Sequence, residues 1–196
     1  MIVIAMILKT AFGIVLVSMV ARFLAQMARA DFYNPLAQTV IKITDPFLKP
    51  MRRIIPPIGG LDTSSLLGLF LGQMLLAVLL FLVSGNNLAA YFPNILIWSI
   101  IAVAALILTV IQWSMIIVGI SSFILMGQPN PFISFIGQMI EPFVGPFRKL
   151  NLQVGMLDLS FLIAFLVIII IKDVILLEGV AQFVGTTRLS GFYIGL

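Results

Sequence analysis

The central part of the chain carries no charged side chain over a long distance. Between Asp62 and Glu141 the sequence contains no Asp, Glu, Lys or Arg. Such a stretch must cross lipid or be buried in protein, because an apolar surface of this size is unfavourable in water. An uncharged polar turn at residues 84–94 divides the stretch, so we predict two membrane crossings within it.

The composition of the whole chain favours the same environment. Hydrophobic residues make up 62% of it and charged residues 9%, with a mean hydropathy of +1.23, whereas ordinary globular domains have about 25% charged residues. The chain also has no Cys and no His, which excludes disulfides and metal sites built on thiolate or imidazole. We predict an integral membrane protein that holds no metal and no cofactor.

Four segments are apolar over roughly the 20 residues that a membrane-spanning helix needs. The predicted fold class is therefore an all-α membrane protein with four transmembrane helices. The first charge, Lys9, lies within the first apolar run rather than before it, which favours an uncleaved span over a removable signal peptide. The predicted spans are residues 3–27, 64–84, 95–126 and 160–177.

A basic, Pro-rich nonapeptide is written twice in the loops between spans. The first motif, DPFLKPMRR, occupies residues 45–53, and the second motif, EPFVGPFRK, begins 96 positions later at residues 141–149. The same offset aligns Asp62 with Asp158. The duplicated pattern predicts that the chain consists of two repeats, each made of a span, a motif loop and a second span.

We place the repeats at residues 1–84 and 97–180, followed by a short tail at 181–196. Because each repeat has an even number of spans, both enter the membrane in the same direction and are parallel repeats. The positive-inside rule places both motif loops in the cytoplasm and both termini outside. The basic residues behind this assignment are Arg29, Lys42, Lys49, Arg52, Arg53, Arg148 and Lys149.

The residues that lead into each motif have helical periodicity. In the second copy the apolar residues fall on one side of a helix: Phe132, Phe135, Ile136, Met139, Ile140 and Phe143. This pattern predicts an amphipathic helix at the membrane interface, with a re-entrant loop as the alternative. The proline pairs, Pro46 with Pro50 and Pro142 with Pro146, predict that each helix kinks or ends there.

Two basic residues follow each proline pair. Arg52 and Arg53 in the first copy, and Arg148 and Lys149 in the second, are positioned to meet the phosphates of anionic lipids. One interpretation is headgroup anchoring, and the other is a defined site for an anionic ligand or a protein partner. The predicted motif residues are Pro46, Pro50, Arg52, Arg53, Pro142, Pro146, Arg148 and Lys149.

An acidic residue opens the second and the fourth span. Asp62 precedes Ser64, and Asp158 precedes Ser160. An acidic N-cap accepts hydrogen bonds from free amide groups and complements the helix dipole. We predict capping, with ion coordination or pairing to an Arg as the alternative.

Charged residues at membrane depth form a further candidate group, because they are rare and expensive there. Asp173 is too short to reach the interface and needs a partner. The alternatives are a structural ion pair and a transport or relay role. The charged candidates are Lys9, Arg22, Lys172 and Asp173. Three uncharged polar residues at similar depth are predicted to hold helices together: Gln73, Thr109 and Gln112.

The repeated D/E-P-F-x-x-P-x-R-[RK], followed by G-x-L-D-x-S, resembles the signature of the YggT family of bacterial integral membrane proteins, which has plastid and cyanobacterial relatives. The resemblance covers almost the whole chain, although PPIGG of the first copy, at residues 56–60, has become LQVGM in the second. It implies an inner-membrane protein linked to osmotic tolerance and potassium homeostasis. Plastid relatives are connected with haem attachment, for which this chain lacks both His and Cys.

Two functions remain open at this stage. One is a scaffold or assembly factor for another membrane complex, and the other is an ion channel or transporter component for potassium. The chain has no phosphate-binding glycine loop and no nucleophile elbow, so we predict no catalytic residues and no enzyme. The predicted partners are anionic lipid headgroups and a membrane protein or a second copy of the chain, with no nucleic acid.

Overall fold

The computed structural model describes residues 2–55, 62–125, 128–150, 153–154, 157–180 and 190–196. The helices are α1 Ile2–Met27, α2 Pro35–Ile54, α3 Thr63–Val83, α4 Leu88–Ile124, α5 Pro131–Arg148 and α6 Leu159–Ile169. A small antiparallel hairpin precedes α6 and joins β1 Gln153–Val154 to β2 Leu157–Asp158. Beyond α6 the chain continues as a π-helix, Ile170–Gly179, and a 3-10 turn lies at Ser190–Phe192.

Four helical segments are long and apolar enough to cross a membrane: Ile2–Met27, Thr63–Val83, Leu88–Ser122 and Leu159–Gly179. The prediction of an all-α chain with four spans is confirmed, with the small hairpin as an addition. The chain is therefore a multi-pass membrane protein. The prolines of residues 56–60 and part of the LQVGM segment lie outside the described residues, as do residues 181–189 of the predicted tail at 181–196.

The third span begins earlier than the sequence analysis placed it. The predicted start was residue 95, but α4 begins at Leu88, inside the predicted turn at residues 84–94. Asn87 caps the helix there, since its side-chain oxygen accepts from the backbone N–H of Ala90 at 3.4 Å. Pro93 lies near the start of α4, where the loss of one N–H donor disturbs few hydrogen bonds of the helix.

Small residues let the first three helices approach closely. In α3, Gly68 and Gly72 are four residues apart, as in the G-x-x-x-G pattern of membrane helix contacts. A Cβ atom at Gly72 would lie 2.7 Å from a methyl carbon of Leu16 in α1. A Cβ atom at Gly68 would lie 2.9 Å from a methyl carbon of Leu48 in α2. The two glycines thus bring α1 and α2 against the same face of α3.

The helices α2 and α5 carry the two motifs and begin alike. Asn34 and Asn130 each accept a hydrogen bond from the N–H two residues ahead, at 2.9 Å in both cases. A proline then occupies the first turn, where its missing N–H would have had no partner in any case. The Asn-Pro dipeptides therefore set the start of both motif helices.

Neither motif helix ends at its proline pair, so of the two predicted outcomes the end of the helix is excluded and the kink stays a prediction. The helix α2 continues past Pro46 and Pro50 to Ile54, and α5 continues past its own pair to Arg148. Between the prolines lies a fully buried side chain, Leu48 in α2 and Val144 in α5. This packing supplies the free energy that compensates for the missing backbone hydrogen bonds.

Candidate functional site

The first motif is anchored to α1 by a buried arginine. Arg22 is only 7% exposed, and its Nη1 donates to Thr44 Oγ1 at 2.7 Å and to Asp45 Oδ1 at 2.8 Å. The other oxygen of Asp45 lies 2.8 Å from the ammonium group of Lys49, one helical turn further along α2. Because a buried charge is stable only when it is paired, this cluster fixes α2 against α1.

The charges around Asp45 also set its protonation. Hydrogen bonds from Lys49 and Arg22 hold the pKa of the Asp45 carboxyl below its usual value. The carboxylate therefore stays ionised at neutral pH and keeps both cations in place. Of this cluster, Arg22 was a predicted charged candidate and Lys49 was considered only for the orientation, whereas Thr44 and Asp45 were not among the predicted site residues. The spacing of Asp45 and Lys49, which suits an ion pair within one helix, was the available signal.

The basic end of the first motif is joined to the start of α3. Arg52 forms an ion pair and a hydrogen bond with Asp62, the N-cap residue of α3, and also reaches Gln26 of α1 at 3.4 Å. Asp62 in turn accepts from the hydroxyl of Ser65 at 2.7 Å and from its N–H at 3.2 Å. Asp62 thus combines capping with arginine pairing, which the sequence analysis treated as alternatives.

Asp62 lies in a buried position, with a side chain that is 1% exposed. Burial by itself raises the pKa of this carboxyl, but the hydrogen bonds from Ser65 and Arg52 outweigh it, and the pKa is lowered. Nearby, the hydroxyl of Ser64 donates to the carbonyl of Ile55 at 2.7 Å, which ties the loop after α2 to α3. Arg52 is therefore engaged within the protein, whereas the side chain of Arg53 is exposed.

The second motif has a different set of contacts. Arg148 Nη1 donates to Glu141 Oε2 at 2.8 Å, and the two side chains are 47% and 51% exposed. Both residues belong to α5, so the pair joins no other helix. The position that matches Arg22 is Val118, and the position that matches Lys49 is Gly145. The second motif therefore lacks the two cations that surround Asp45 in the first.

The second motif borders a shallow cavity at the end of α1. This cavity has a volume of about 400 Å³ and is lined by Ala28, Glu141, Pro142, Gly145, Pro146 and Lys149. The side chain of Lys149 is exposed. Of the capping pair predicted for the fourth span, Ser160 is buried, and the side chain of Asp158 lies outside the described part of the structure. The backbone of Asp158 pairs with Gln153 in the hairpin.

The two motif helices also contact each other directly. The N–H of Asp31 donates to Gln138 Oε1 at 2.8 Å, and Asn34 Nδ2 donates to the carbonyl of Pro131 at 2.7 Å. Asn34 thereby caps α2 with its oxygen and binds the start of α5 with its nitrogen. These bonds join the two halves of the chain at the motif end of the bundle.

The remaining charged candidates lie apart from the motifs. Lys172 Nζ donates to Gln112 Oε1 of α4 at 2.9 Å and lies 3.6 Å from Asp173 Oδ1. Both charged residues belong to the π-helix that follows α6. Lys9 is half-buried on α1. In the part of the chain that the structure describes, no group of three or more carboxylate side chains forms a metal site.

Comparison with known proteins gives two matches to one family. The CCB3/YggT family profile matches residues 1–83 and, a second time, residues 96–178. The Pseudomonas aeruginosa protein called "Uncharacterized protein PA0392" is 41% identical over 179 residues, which cover 91% of this chain and 90% of that protein. The Escherichia coli K12 protein called "Uncharacterized protein YggT" is 29% identical over 189 residues, 96% of each chain.

A shorter relative matches one part of the chain. The Porphyra purpurea protein called "Uncharacterized protein ycf19" is 38% identical over 55 residues, 28% of this chain and 58% of that protein. No solved structure matches the chain. The family profile covers both halves of the chain and includes both motifs, and the bacterial relatives extend over nearly its full length. The chain therefore belongs to the CCB3/YggT family.

Proposed function

We propose that the chain is a non-enzymatic scaffold or assembly factor of the bacterial inner membrane that acts in osmotic-stress tolerance and ion homeostasis. One observation carries the scaffold proposal. Among the described residues, every buried side-chain nitrogen or oxygen has a hydrogen-bond partner within the chain. A conducting path needs polar groups that are free to replace the water around an ion. Polar groups that already bind each other serve to hold helices together.

The lining of the bundle supports the same proposal. An open cleft of about 590 Å³ lies between α3 and α4, and all of its lining residues are apolar: Leu66, Leu67, Phe70, Ile100, Val103, Ala104 and Ile107. The charges Arg22 and Lys172 belong to separate clusters, one with Asp45 of the first motif and one with Gln112 of α4. Such an arrangement favours lipid or a partner helix over ions as the neighbour of these spans.

The motif helices are the proposed contact surface. In this proposal α2 and α5 lie at the cytoplasmic interface as parts of two parallel repeats, and both termini lie outside. Each helix buries an apolar stripe and exposes basic residues, which anionic headgroups attract by about 1 kcal/mol for each Lys or Arg. The exposed basic residues of the two helices are Lys42, Lys49, Arg53 and Arg148, with Lys149 at the end of α5.

A second candidate function is an ion channel or transporter component for potassium. One observation favours it, because polar side chains of both halves converge at membrane depth. Gln73 of α3 and Thr109 of α4 both bind the segment Ser190–Leu196. In the scaffold proposal this segment occupies the space in the resting protein, and no ion passes there.

Potassium flux in liposomes distinguishes the two candidates. We expect the purified protein, reconstituted at neutral pH, to give the flux of empty liposomes, with no change in Asp173→Asn. Robust potassium flux from the protein alone would replace the scaffold proposal by the channel. The role in osmotic tolerance has its own test, in which growth of a deletion strain after osmotic shift is rescued by the wild-type gene. If the deletion strain grew like the wild type after osmotic shift and at limiting potassium, the proposed role in osmotic tolerance would be excluded.

The contact surface is tested by complementation with surface variants. Arg53 and Lys149 are exposed, so Gln at both positions removes charge while leaving the buried clusters intact. We expect this double variant to reach wild-type abundance in the membrane and to fail in rescue. Lys9→Gln, which changes a charge on α1 at the opposite end, is the matched control and should rescue fully. Full rescue by both variants would exclude the basic surface as the contact site.

Orientation is tested by thiol labelling, since the chain has no Cys. Single Cys substitutions at Gln38 and Gln138 report on the two motif helices, and one at Asn87 reports on the turn before α4. In intact spheroplasts we expect an impermeant thiol reagent to label only the Cys at position 87. Labelling of just one motif helix would rule out parallel repeats.

A further inference from the structure

The segment Ser190–Leu196 packs against the helical bundle, with Tyr193 buried and Ile194 half-buried. Gln73, at the middle of α3, has no exposed surface. Its Nε2 donates to the carbonyl of Ile194 at 2.8 Å, and its Oε1 accepts from the N–H of the same residue at 3.2 Å. One side chain thus binds both backbone groups of one residue, as a neighbouring strand would in a sheet.

The aromatic residues of the segment occupy defined places. The hydroxyl of Tyr193 donates to the carbonyl of Ile95 in α4 at 2.9 Å, and the hydroxyl of Ser99 lies 3.5 Å away. Tyr193 is buried in an apolar cluster with Trp98. The ring of Phe192 lies 4.2 Å from that of Phe81 in α3, measured between centroids. The segment therefore contacts α3 and α4 through both of its aromatic side chains.

Gly195 fits where no other residue would. Its φ angle is +94°, which side chains with a Cβ rarely adopt. A Cβ atom there would lie 2.8 Å from the Cα atom of Leu106 in α4, too close for any side chain. The hydroxyl of Thr109 donates to the carbonyl oxygen of Gly195 at 3.4 Å. The contact is thus one of backbone against backbone, and it selects for glycine.

A Cβ atom at Gly13 of α1 would lie 3.6 Å from the Cδ1 atom of Ile194, so α1 borders the segment as well. We propose that the space between α1, α3 and α4 is a peptide-binding site, and that the segment Ser190–Leu196 of the same chain is its ligand and acts as a releasable latch. The site recognises a peptide with a Tyr, an aliphatic residue and a Gly in succession. The side chain of Gln73 binds the main chain of the peptide. The carbonyl of Ile95 and the hydroxyl of Ser99 bind the Tyr hydroxyl. The backbone at Leu106 leaves room only for Gly.

The segment can leave without unfolding of the four spans, because contacts that hold the helices together do not include it. The contact of α1 with α3 through Gly72 and the ion pairs of the first motif do not involve the segment. Departure of the segment leaves the amide of Gln73 unpaired in apolar surroundings, so the site favours any peptide that restores those two bonds. The proposal holds whether or not the protein conducts ions.

A first experiment measures release in the full chain. Ile194→Cys keeps both backbone bonds to Gln73 and adds the only thiol of the chain. In lipid nanodiscs we expect slow reaction with a hydrophilic thiol reagent, and a rate about tenfold higher when Gln73→Leu removes the two bonds. Gln112→Leu is the matched control, because Gln112 is also a glutamine of a membrane helix but binds Lys172. Its labelling rate should stay within about twofold of the parent.

A second experiment tests the empty site. Gly195→Ala displaces the segment by a change in the segment alone and leaves the helices untouched. A fluorescent peptide with the sequence of residues 190–196, amidated at its C-terminus, should bind this variant saturably. Its affinity should be about tenfold higher than for the wild type, whose site is occupied, or for the variant that also carries Gln73→Leu.

Three results would overturn the proposal. Equal peptide binding by all three proteins would indicate partition into lipid rather than a site. Loss of helical structure in Gly195→Ala would show that the segment is a fixed part of the core. Protection of the Cys at position 194 that rises with protein concentration would assign the segment to the site of a second copy.

Discussion

The first and second motifs share a pattern but differ in what they bind. In the first, Asp45 is paired with Arg22 of α1 and Arg52 with Asp62 of α3, so one nonapeptide joins three helices. In the second, Arg148 and Glu141 pair with each other on the exposed side of α5. The difference arises at two matched positions. Outside the motifs, position 22 has Arg where position 118 has Val, and within them position 49 has Lys where position 145 has Gly.

The two motifs have similar sequences but different structural roles. A buried ion pair that loses one partner leaves an unpaired charge, whereas an exposed pair is solvated by water and contributes little to stability. The first motif therefore acts as a structural clamp on α1 and α3. The second motif keeps its charges at the surface, where a headgroup or a partner can reach them. A duplicated signature need not have a duplicated role.

The largest expected effect comes from the matched pair of variants Asp45→Asn and Glu141→Gln. Asp45→Asn leaves Arg22 buried without a counter-charge, and we expect it to lower the free energy of unfolding by about 2–3 kcal/mol. Glu141→Gln removes half of an exposed pair and should change it by less than about 0.5 kcal/mol. Thermal unfolding in mild detergent measures both. Equal losses would show that the two motifs are alike in energy as well as in sequence.

The arginines of the two motifs should separate stability from lipid binding. Arg52→Gln leaves the buried carboxylate of Asp62 with fewer partners, and we expect a loss of about 1–2 kcal/mol. Arg148→Gln should leave stability within about 0.5 kcal/mol of the wild type but weaken the retention of anionic lipid during purification. Arg148→Lys keeps the charge without the planar fork and should retain an intermediate amount. If Arg52→Gln lost anionic lipid and Arg148→Gln did not, the first motif rather than the second would be the lipid-binding one.

Sequence patterns predicted some of these features and not others, for physical reasons. Span positions follow from local hydrophobicity, and the starts of α2 and α5 follow from the capping oxygens of Asn34 and Asn130. The pairing of Arg22 with Asp45 depends on how α1 packs against α2, which no local pattern records. The binding of Ile194 to Gln73 also depends on tertiary packing, and from the sequence Gln73 was predicted only to join helices. The helices continue past their proline pairs, where Leu48 and Val144 are fully buried, and no local pattern records that packing.

Acid should weaken the first motif through its two carboxylates. The pKa of Asp45 and that of Asp62 are both below the ordinary value, so near that value the folded state binds fewer protons than the unfolded state. The stability they contribute is complete above the unfolded pKa and is lost as pH falls through the folded values. We expect a steady melting temperature from about pH 7 to about pH 5 and a decline below about pH 4.

A serine next to Asp62 tests the cause of that decline. Ser65→Ala removes the hydroxyl that stabilises the Asp62 carboxylate, so the melting temperature should start lower and decline less steeply in acid. Ser122→Ala is the control, because that hydroxyl donates to the carbonyl of Gly119 and not to a carboxylate. An acid profile of Ser65→Ala parallel to that of the wild type would exclude Asp62 as a source of the pH dependence.

The smallest expected effect tests whether the second repeat has the geometry of the first. Val118 and Glu141 occupy the positions that match Arg22 and Asp45, so Val118→Arg should bring a guanidinium toward the carboxylate of Glu141. The new arginine disturbs the apolar packing of Val118 in either background, but the pairing exists only when Glu141 is present. In a double-mutant cycle with Glu141→Gln we therefore expect a favourable coupling of about 0.5–1 kcal/mol. Zero coupling would mean that α4 and α5 do not meet as α1 and α2 do, and that the likeness of the two halves ends at their sequences.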